Sequence, residues 1–221
     1  MLCTVEHLGT VRYAEGLEIQ RQRVAARKAG TIPDTLLLLE HSHVYTLGRN
    51  AREGNILVSR RRLASLGAEV FETDRGGDVT YHGPGQLVIY PIIDLRQRGR
   101  DIHAYVHDLE EVVIRSLASF SIAGEKKSHA GVWVGDKQIA AIGIAIRRWI
   151  TMHGIALNVS PKPAHFKLIN PCGMAGVPVT SIRELTGVAV PLTDVADIVV
   201  AEFASVFHAD IQKTATAEIF Q

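Results

Sequence analysis

The sequence predicts a single α+β domain spanning residues 1–221. With 221 residues, 47% of them hydrophobic, the chain is long enough for one substantial core and short for two. Apolar residues recur at every third or fourth position in a few separated stretches, and runs rich in β-branched residues lie between them. Helices this few and this unevenly spaced favour α+β over a regularly alternating α/β fold.

The helices are predicted from apolar periodicity and from the residues that begin and end them. Residues 16–29 are charged on one side and are followed by Gly30, so this stretch is expected to be a surface helix. Asp101 is the expected N-cap of a second helix over 102–120. A third helix is expected over 194–208, where the apolar residues share one face.

The strands are predicted from short apolar runs. Residues 35–39 are expected to form a buried strand. Strands over 131–134 and 138–146 are expected to be joined by a tight turn at 135–136, and a further strand is expected over 155–159.

Composition and charge exclude several classes of function. The 24 Lys and Arg nearly balance the 23 Asp and Glu, so the chain lacks the positive field of a non-specific nucleic-acid binder. Cysteine occurs only at positions 3 and 172, which excludes a disulfide framework and indicates a reducing compartment. The longest apolar run, 139–146, is too short to cross a membrane, and residues 1–10 lack a signal-peptide pattern. We therefore expect a cytoplasmic protein.

The ten histidines do not form a recognisable metal-binding motif. His41 and His43 would share a face of a strand, but no third ligand follows at a suitable spacing. We expect neither a metal site nor a cofactor.

Glycines are concentrated in the segment 75–86, which is a candidate substrate loop. Four glycines and a proline within it fix turns and let backbone N–H groups approach a ligand, although a structural turn between two strands explains them equally well. The spacing matches neither a Walker loop nor a dinucleotide fingerprint. Arg75 and His82 would orient a substrate there, or satisfy buried carbonyl groups.

Cys172 is the candidate nucleophile. It lies between Pro171, which restrains the backbone, and Gly173, which leaves room around it. A lone cysteine is more often a small buried hydrophobic residue, but packing alone would accept alanine in this setting. Cys3, close to the N-terminus, is given no role.

Four segments together resemble the octanoyltransferase family, also called lipoate-protein ligase B. They are residues 44–49, 75–86, 152–158 and 170–173, in that order. The resemblance implies the fold of the biotin and lipoate ligase catalytic domains, with a mixed sheet and flanking helices. It also implies transfer of octanoyl from acyl carrier protein to a lysine of the lipoyl domains of 2-oxoacid dehydrogenases and of glycine-cleavage H protein, in lipoate biosynthesis. The protein is expected to act as a monomer.

The family's functional residues can be placed on this sequence by position. Cys172 would be the acyl-thioester nucleophile. The residues implied to line the substrate pocket are Arg75, Gly76, Gly77, Asp78, Val79, Thr80, Tyr81, His82, Ala141, Ile142, Gly143, Gly154, Ile155 and Ala156.

The sequence departs from the family at one position. The lysine that lowers the cysteine pKa in the family falls at position 138, which is Gln138 here, with Lys137 beside it. Both are therefore candidate catalytic residues. Neighbouring strand residues point to opposite faces, so Lys137 would reach the thiol only through a bulge or a shift at the end of the turn, and this is the hypothesis we adopt. Otherwise His82 or His153 would accept the proton.

Two alternative functions remain open. An ATP-dependent lipoate ligase on the same fold would activate a free acid and would need no thiol. A non-catalytic protein that binds acyl groups or lipoyl domains would explain the missing lysine.

Overall fold

An eight-stranded mixed sheet lies at the centre of the computed structural model, which describes residues 1–213. In chain order the strands are β1 (Leu2–Val11), β2 (Asp34–His41), β3 (Val44–Leu47), β4 (Glu69–Glu72), β5 (Val79–His82), β6 (Gln86–Ile92), β7 (Glu125–Lys126), β8 (Gly131–Val134), β9 (Lys137–Arg147), β10 (Ile150–Asn158) and β11 (Asp210–Lys213). The large sheet has the order β11-β1-β2-β6-β10-β9-β8-β7, and a small sheet has the order β4-β3-β5. The β1 strand pairs with β11 and β2 in parallel, whereas the other pairs of the large sheet are antiparallel.

Helices cover both faces of the large sheet. They are α1 (Tyr13–Ala29), α2 (Arg60–Ser65), α3 (Ile102–Ala118), α4 (Ile182–Thr186) and α5 (Leu192–Phe207). The α3 and α5 helices pack on one face, where Leu36 and Leu38 of β2 point, and α1 packs on the other face, where Leu37 and Leu39 point. Because alternate residues of a strand point to opposite faces, burial on both sides explains the unbroken run of leucines.

The helix boundaries follow from local capping. The Asp101 side chain accepts a hydrogen bond from the Ala104 backbone N–H, so the predicted N-cap of α3 is confirmed. The α1 helix begins at Tyr13, before the predicted start, and the Glu15 carboxylate accepts a hydrogen bond from the backbone N–H of the preceding Arg12 at 3.3 Å. It ends at Gly30, whose backbone is left-handed.

The four predicted strands are present as β2, β8, β9 and β10, whereas the other seven strands of the described residues were not predicted. The β10 strand begins at Ile150, earlier than expected, and β1 and β11 add an edge to the large sheet. Cys3 is fully buried in β1, and this burial raises its pKa to about 12. None of the helices within residues 1–213 is both long and apolar enough to cross a membrane.

Candidate active site

Cys172 lines a pocket between the two sheets with nearly all the residues predicted to surround a substrate. Of the predicted substrate-binding residues, only Gly76, Val79 and Tyr81 lie outside the lining. Tyr13, Tyr90 and His153 also line the pocket. Val79 and Tyr81 lie outside the lining because strand residues alternate. In β5, Thr80 and His82 face the pocket, whereas Val79 and Tyr81 pack into a separate apolar cluster.

Two glycines on neighbouring strands lie opposite each other in the wall of the pocket. Gly143 of β9 lies opposite Gly154 of β10. A Cβ atom on Gly154 would lie 2.4 Å from the Ile89 carbonyl oxygen, and one on Gly143 would lie 3.2 Å from the Arg75 Cδ atom. Gly154 therefore requires glycine, whereas a side chain at Gly143 would be tight and would need its neighbours to shift by a few tenths of an ångström. Gly76 lies outside the lining, and its N–H donates to the Ile144 carbonyl at 2.8 Å, which holds the glycine-rich loop on β9.

The turn that carries Cys172 is held in a left-handed conformation. Cys172 has φ 55° and ψ 22°, a region that residues other than glycine rarely use. The turn is fixed by Asn55, whose carbonyl accepts from the Asn170 N–H at 2.8 Å and whose side-chain amide donates to Asp78 at 2.8 Å. No pattern in the sequence indicated a role for Asn55. Such backbone strain persists only where surrounding contacts enforce it, and residues with this strain are concentrated at functional sites.

The residue that faces the thiol is Gln138. Its amide oxygen and nitrogen both lie 3.7 Å from the Cys172 sulfur, and its side chain is buried. Backbone hydrogen bonds to Pro178 and Thr180 hold this position, since the Gln138 N–H donates to the Pro178 carbonyl at 2.9 Å and its carbonyl accepts from Thr180. The chain that follows the Cys172 turn therefore locks the orientation of Gln138.

Lys137 lies outside the pocket, contrary to the expectation that it reaches the thiol. Its ammonium group lies 2.7 Å from the Glu184 carboxylate, and 46% of its side chain is exposed. The expected bulge is present, because Trp133 pairs with Gln138 and Val132 pairs with Ala140. The extra residue of the bulge is thus Ile139, beyond Lys137, so the bulge does not turn Lys137 inward.

Burial raises the pKa of the Cys172 thiol above its ordinary value. The hydrogen bond with Gln138 and the charge of Arg75 oppose this effect, and the Asp78 carboxylate adds to it. The thiol is therefore largely protonated at neutral pH, and its reaction with a thioester requires a partner that accepts the proton.

Arg75 places a buried positive charge beside the thiol. Its guanidinium group donates to the carbonyl oxygens of Thr46, Gly76 and Asp78 at 2.7–3.0 Å. Burial lowers its pKa, but an arginine retains its charge. Arg75 thus satisfies buried carbonyls and also favours the thiolate form of Cys172 electrostatically.

His153 has the more suitable hydrogen-bond partners of the two candidate proton acceptors. Its Nε2 atom lies 2.9 Å from the Asp74 carboxylate, and burial lowers its pKa, so the ring is neutral near pH 7. With Nε2–H donating to Asp74, the Nδ1 atom is left as the acceptor nitrogen. Burial alone would raise the pKa of Asp74, but hydrogen bonds from His153 and Arg147 lower it to about 2. Asp74 adjoins the glycine-rich segment but was not predicted.

His82 is less suited to accept a proton. Its Nδ1 atom lies 2.8 Å from the Gln86 side-chain oxygen, and its Nε2 atom lies 3.4 Å from the Thr46 hydroxyl. Burial holds the pKa of His82 well below its ordinary value. Both ring nitrogens are engaged, so His82 orients its neighbours and stays neutral.

His41 and His43 bond to different partners. His41 lies between the Val11 carbonyl and the Tyr90 hydroxyl, and His43 contacts the Tyr81 hydroxyl. Within residues 1–213, no group of three or more His, Cys, Asp or Glu side chains is arranged to hold a metal ion.

Comparison with known sequences identifies relatives over nearly the whole chain. The sequence model of the lipoyl protein ligase A/B catalytic domain matches residues 12–204. A protein of Solibacter usitatus named octanoyltransferase is 50% identical over 206 residues, which are 93% of this chain and 93% of the relative. A protein of the same name from Geobacter metallireducens is 45% identical over 215 residues, covering 97% of this chain and 98% of the relative.

Solved structures share the fold at low identity. Lipoate-protein ligase A bound with ATP superposes with a TM-score of 0.76 at 15% identity, covering 99% of this chain and 90% of the ligase. Biotin protein ligase from Aquifex aeolicus superposes with a TM-score of 0.56 at 12% identity, covering 94% of this chain and 70% of the biotin ligase. The predicted likeness to the catalytic domains of biotin and lipoate ligases is confirmed, and this likeness concerns the fold alone.

Proposed function

The chain belongs to the lipoyl protein ligase A/B catalytic-domain family, and we propose that it transfers an octanoyl group through a thioester on Cys172. It is an acyltransferase of lipoate biosynthesis, as its relatives named octanoyltransferase indicate. The observation that carries the thioester proposal is the position of Cys172, in a strained turn, at a pocket lined by apolar segments of β9 and β10. The Gln138 amide beside the sulfur supports the same role.

In the first step, the Cys172 sulfur attacks the carbonyl carbon of an octanoyl thioester. A sulfur–carbon bond forms to Cys172, the bond to the donor sulfur breaks, and the donor leaves as a thiol with the proton that Cys172 loses. The amide N–H groups of Gln138 and the charge of Arg75 stabilise the sulfur while it carries negative charge.

In the second step, the neutral amine of an acceptor lysine attacks the octanoyl carbonyl. A carbon–nitrogen bond forms, the bond to Cys172 breaks, and the proton lost by the nitrogen is returned to the sulfur. We assign this transfer to His153, because its Nδ1 atom is free to accept and Asp74 stabilises the protonated ring. His153 and Asp74 thus take the place of a lysine at position 138, which would itself have acted as the base.

The acyl pocket must widen to hold its substrate. Its free volume is about 40 Å³, which is room for about one water molecule. An eight-carbon chain therefore enters only when the walls move apart.

Octanoyl acyl carrier protein is the proposed donor. Lipoyl domains of 2-oxoacid dehydrogenases and glycine-cleavage H protein are the proposed acceptors, since the product of the reaction is an octanoylated lysine. We further propose a cytoplasmic monomer that binds neither nucleic acid nor membrane; the low net charge of +1 supports the absence of non-specific nucleic-acid binding.

An ATP-dependent ligase on the same fold is the second candidate, and the ATP-bound ligase with a similar fold is the observation that favours it. A ligase needs no thiol in the acyl pocket, whereas Cys172 lies there. Relatives 45–50% identical are named for the transferase. The third candidate, a protein that binds acyl groups without turnover, rests on Gln138 alone.

One experiment separates the three candidates. The protein is incubated with octanoyl carrier protein without ATP, and its intact mass is measured before and after a lipoyl domain is added. We expect an octanoyl adduct that disappears as the lipoyl domain gains the group, and no adduct with Cys172→Ser. Strict dependence on ATP and free octanoate would support the ligase, and the absence of both adduct and product would support the binding protein.

A further inference from the structure

A second and larger cavity adjoins the turn that carries Cys172. We call it the outer groove; it is lined by Phe166, Asn170, Pro171, Val177, Val179 and Thr180, among others. Its free volume is about 400 Å³, compared with about 40 Å³ for the acyl pocket, and the two share no lining residue. A volume of this size lies in the range of about 300–1,000 Å³ that is typical of small-molecule sites.

We propose that the outer groove binds the pantetheine arm through which the donor presents its octanoyl thioester. This inference rests on the proposed function, since it assigns the donor half of that reaction a binding site.

The first argument is geometric. The carbonyl carbon that Cys172 attacks carries the octanoyl chain on one side and the sulfur of the donor arm on the other. When the octanoyl chain lies in the acyl pocket, the arm must leave the reaction centre by a different path. Pro171 is buried and lines the outer groove, and the next residue, Cys172, lines the acyl pocket. The outer groove therefore begins one residue from the nucleophile.

The second argument is chemical. The groove wall is mainly apolar, formed by Phe166, Val177, Val179 and prolines. The hydroxyl of Thr180 has no hydrogen-bond partner within residues 1–213, although the residue is only 2% exposed and lines the groove. A pantetheine arm combines methylene and methyl groups with two amides. It can cover the apolar wall and give the hydroxyl a partner.

Charges at the rim fit an arm that ends in a phosphate. Lys167 is exposed and lines the groove, so it can approach an anionic group. Glu184 also lines the groove, but its carboxylate is paired with Lys137 at 2.7 Å. The ion pair reduces the repulsion that Glu184 would otherwise exert on the phosphate.

The acceptor lysine fits the outer groove less well. Its side chain has four methylenes and an amine, and it lacks the amides that would satisfy Thr180. Its volume is also well below that of the groove. Binding of the acceptor in the groove is thus the outcome that would contradict the proposal.

The main test is the variant Thr180→Val, which removes the hydroxyl and preserves the shape of the side chain. The Thr180 backbone N–H continues to donate to the Gln138 carbonyl, so the strand contact is kept. We expect KM for octanoyl carrier protein to rise about 5- to 10-fold, the effect of one hydrogen bond, with kcat within about twofold. KM for the lipoyl domain should stay unchanged. Thr31→Val, an exposed threonine after α1, is the control and should alter neither constant.

A second variant, Val177→Phe, fills the groove without removing a hydrogen bond. It is assayed with octanoyl carrier protein, octanoyl-CoA, octanoyl pantetheine and octanoyl N-acetylcysteamine, which lacks most of the arm. We expect weaker use of the first three donors and unchanged use of the truncated one. An effect confined to the carrier protein would mean that the groove contacts the carrier protein and would overturn the proposal.

Two other outcomes overturn it as well. One is a donor KM within twofold of wild type in both variants, and the other is a rise in KM for the lipoyl domain. These results are distinct from failure of the proposed function, because wild-type protein would still form the octanoyl adduct on Cys172. If no donor produces that adduct, the proposed function itself fails.

Discussion

The side-chain amide of Gln138 lies 3.7 Å from the sulfur of Cys172, so a neutral group contacts the proposed nucleophile at the position where the family resemblance predicts a lysine. An amide offers a hydrogen bond but no net charge, and burial keeps the pKa of Cys172 raised. The reactivity of the thiol should therefore depend strongly on pH and on the residue at position 138.

We predict that Gln138→Lys lowers the pKa of Cys172. A cation beside the sulfur favours the thiolate, and each unit of decrease raises the thiolate fraction about tenfold at a pH below the pKa. The measurement is the rate of alkylation by iodoacetamide from pH 6 to pH 9, followed by intact mass. A pH profile of alkylation that is unchanged, or that shifts to higher pH, would contradict the role given to position 138.

Lys137→Ala should leave octanoyl transfer within about twofold of wild type, because the ammonium group points away from the pocket. The variant loses only an ion pair with Glu184 at the surface. Such pairs contribute less than about 1 kcal/mol to the free energy of unfolding. Steady-state kinetics measures the effect on octanoyl transfer, and urea unfolding measures the effect on the free energy of unfolding. A loss of activity of tenfold or more would return Lys137 to the mechanism.

Asp74→Asn should slow the second step of the reaction. The carboxylate accepts from His153 Nε2 at 2.9 Å, and its loss removes both the orientation of the ring and the stabilisation of its protonated form. We expect a decrease of about 100-fold in the release of octanoyl to the acceptor, in the range of general acid–base effects. Single-turnover transfer from pre-acylated protein isolates this step. Equal rates for wild type and variant would exclude the pair from catalysis.

The same carboxylate should contribute to stability in a pH-dependent way. Hydrogen bonds from His153 and Arg147 depress the pKa of Asp74 to about 2, from an ordinary value of 3.8. A depressed carboxyl pKa stabilises the fold above the ordinary pKa, and this stabilisation is lost as the pH falls from about 4 towards 2. The difference in unfolding free energy between wild type and Asp74→Asn should therefore be smaller at pH 3 than at pH 6. Urea unfolding at the two pH values is the measurement. A larger difference in unfolding free energy at pH 3 than at pH 6 would refute the stabilising role of the ionised carboxylate.

Gly173→Ala should disturb the turn that carries the nucleophile. A Cβ atom there would lie 2.7 Å from the Asp78 carboxylate oxygen, with φ at +75°. Gly30 has the same φ and no atom within 4 Å of the added Cβ, so Gly30→Ala is a matched control. Both changes should cost about 1 kcal/mol in backbone strain, but only Gly173→Ala should reduce transfer, by tenfold or more. Equal activity of the two variants would show that the contact with Asp78 is unimportant.

Local features of the sequence determined much of this protein. The Asp101 cap, the apolar spacing after it and the turn at 135–136 specify their elements through contacts between residues close in the chain. The pocket segments and Cys172 were also evident from the sequence, since glycine and proline at these positions have few structural uses.

Tertiary structure decided the rest, because the remaining choices depend on contacts between distant residues. The pairing of β1 with β11 joins the two ends of the described chain, which no local pattern can indicate. Asn55 becomes part of the Cys172 turn only through hydrogen bonds with Asn170 and Asp78. Above all, the choice between Lys137 and Gln138 depended on the backbone hydrogen bonds of Gln138 with Pro178 and Thr180. A change of one residue in register exchanges the two faces of a strand, so only the folded chain fixes which side chain meets the thiol.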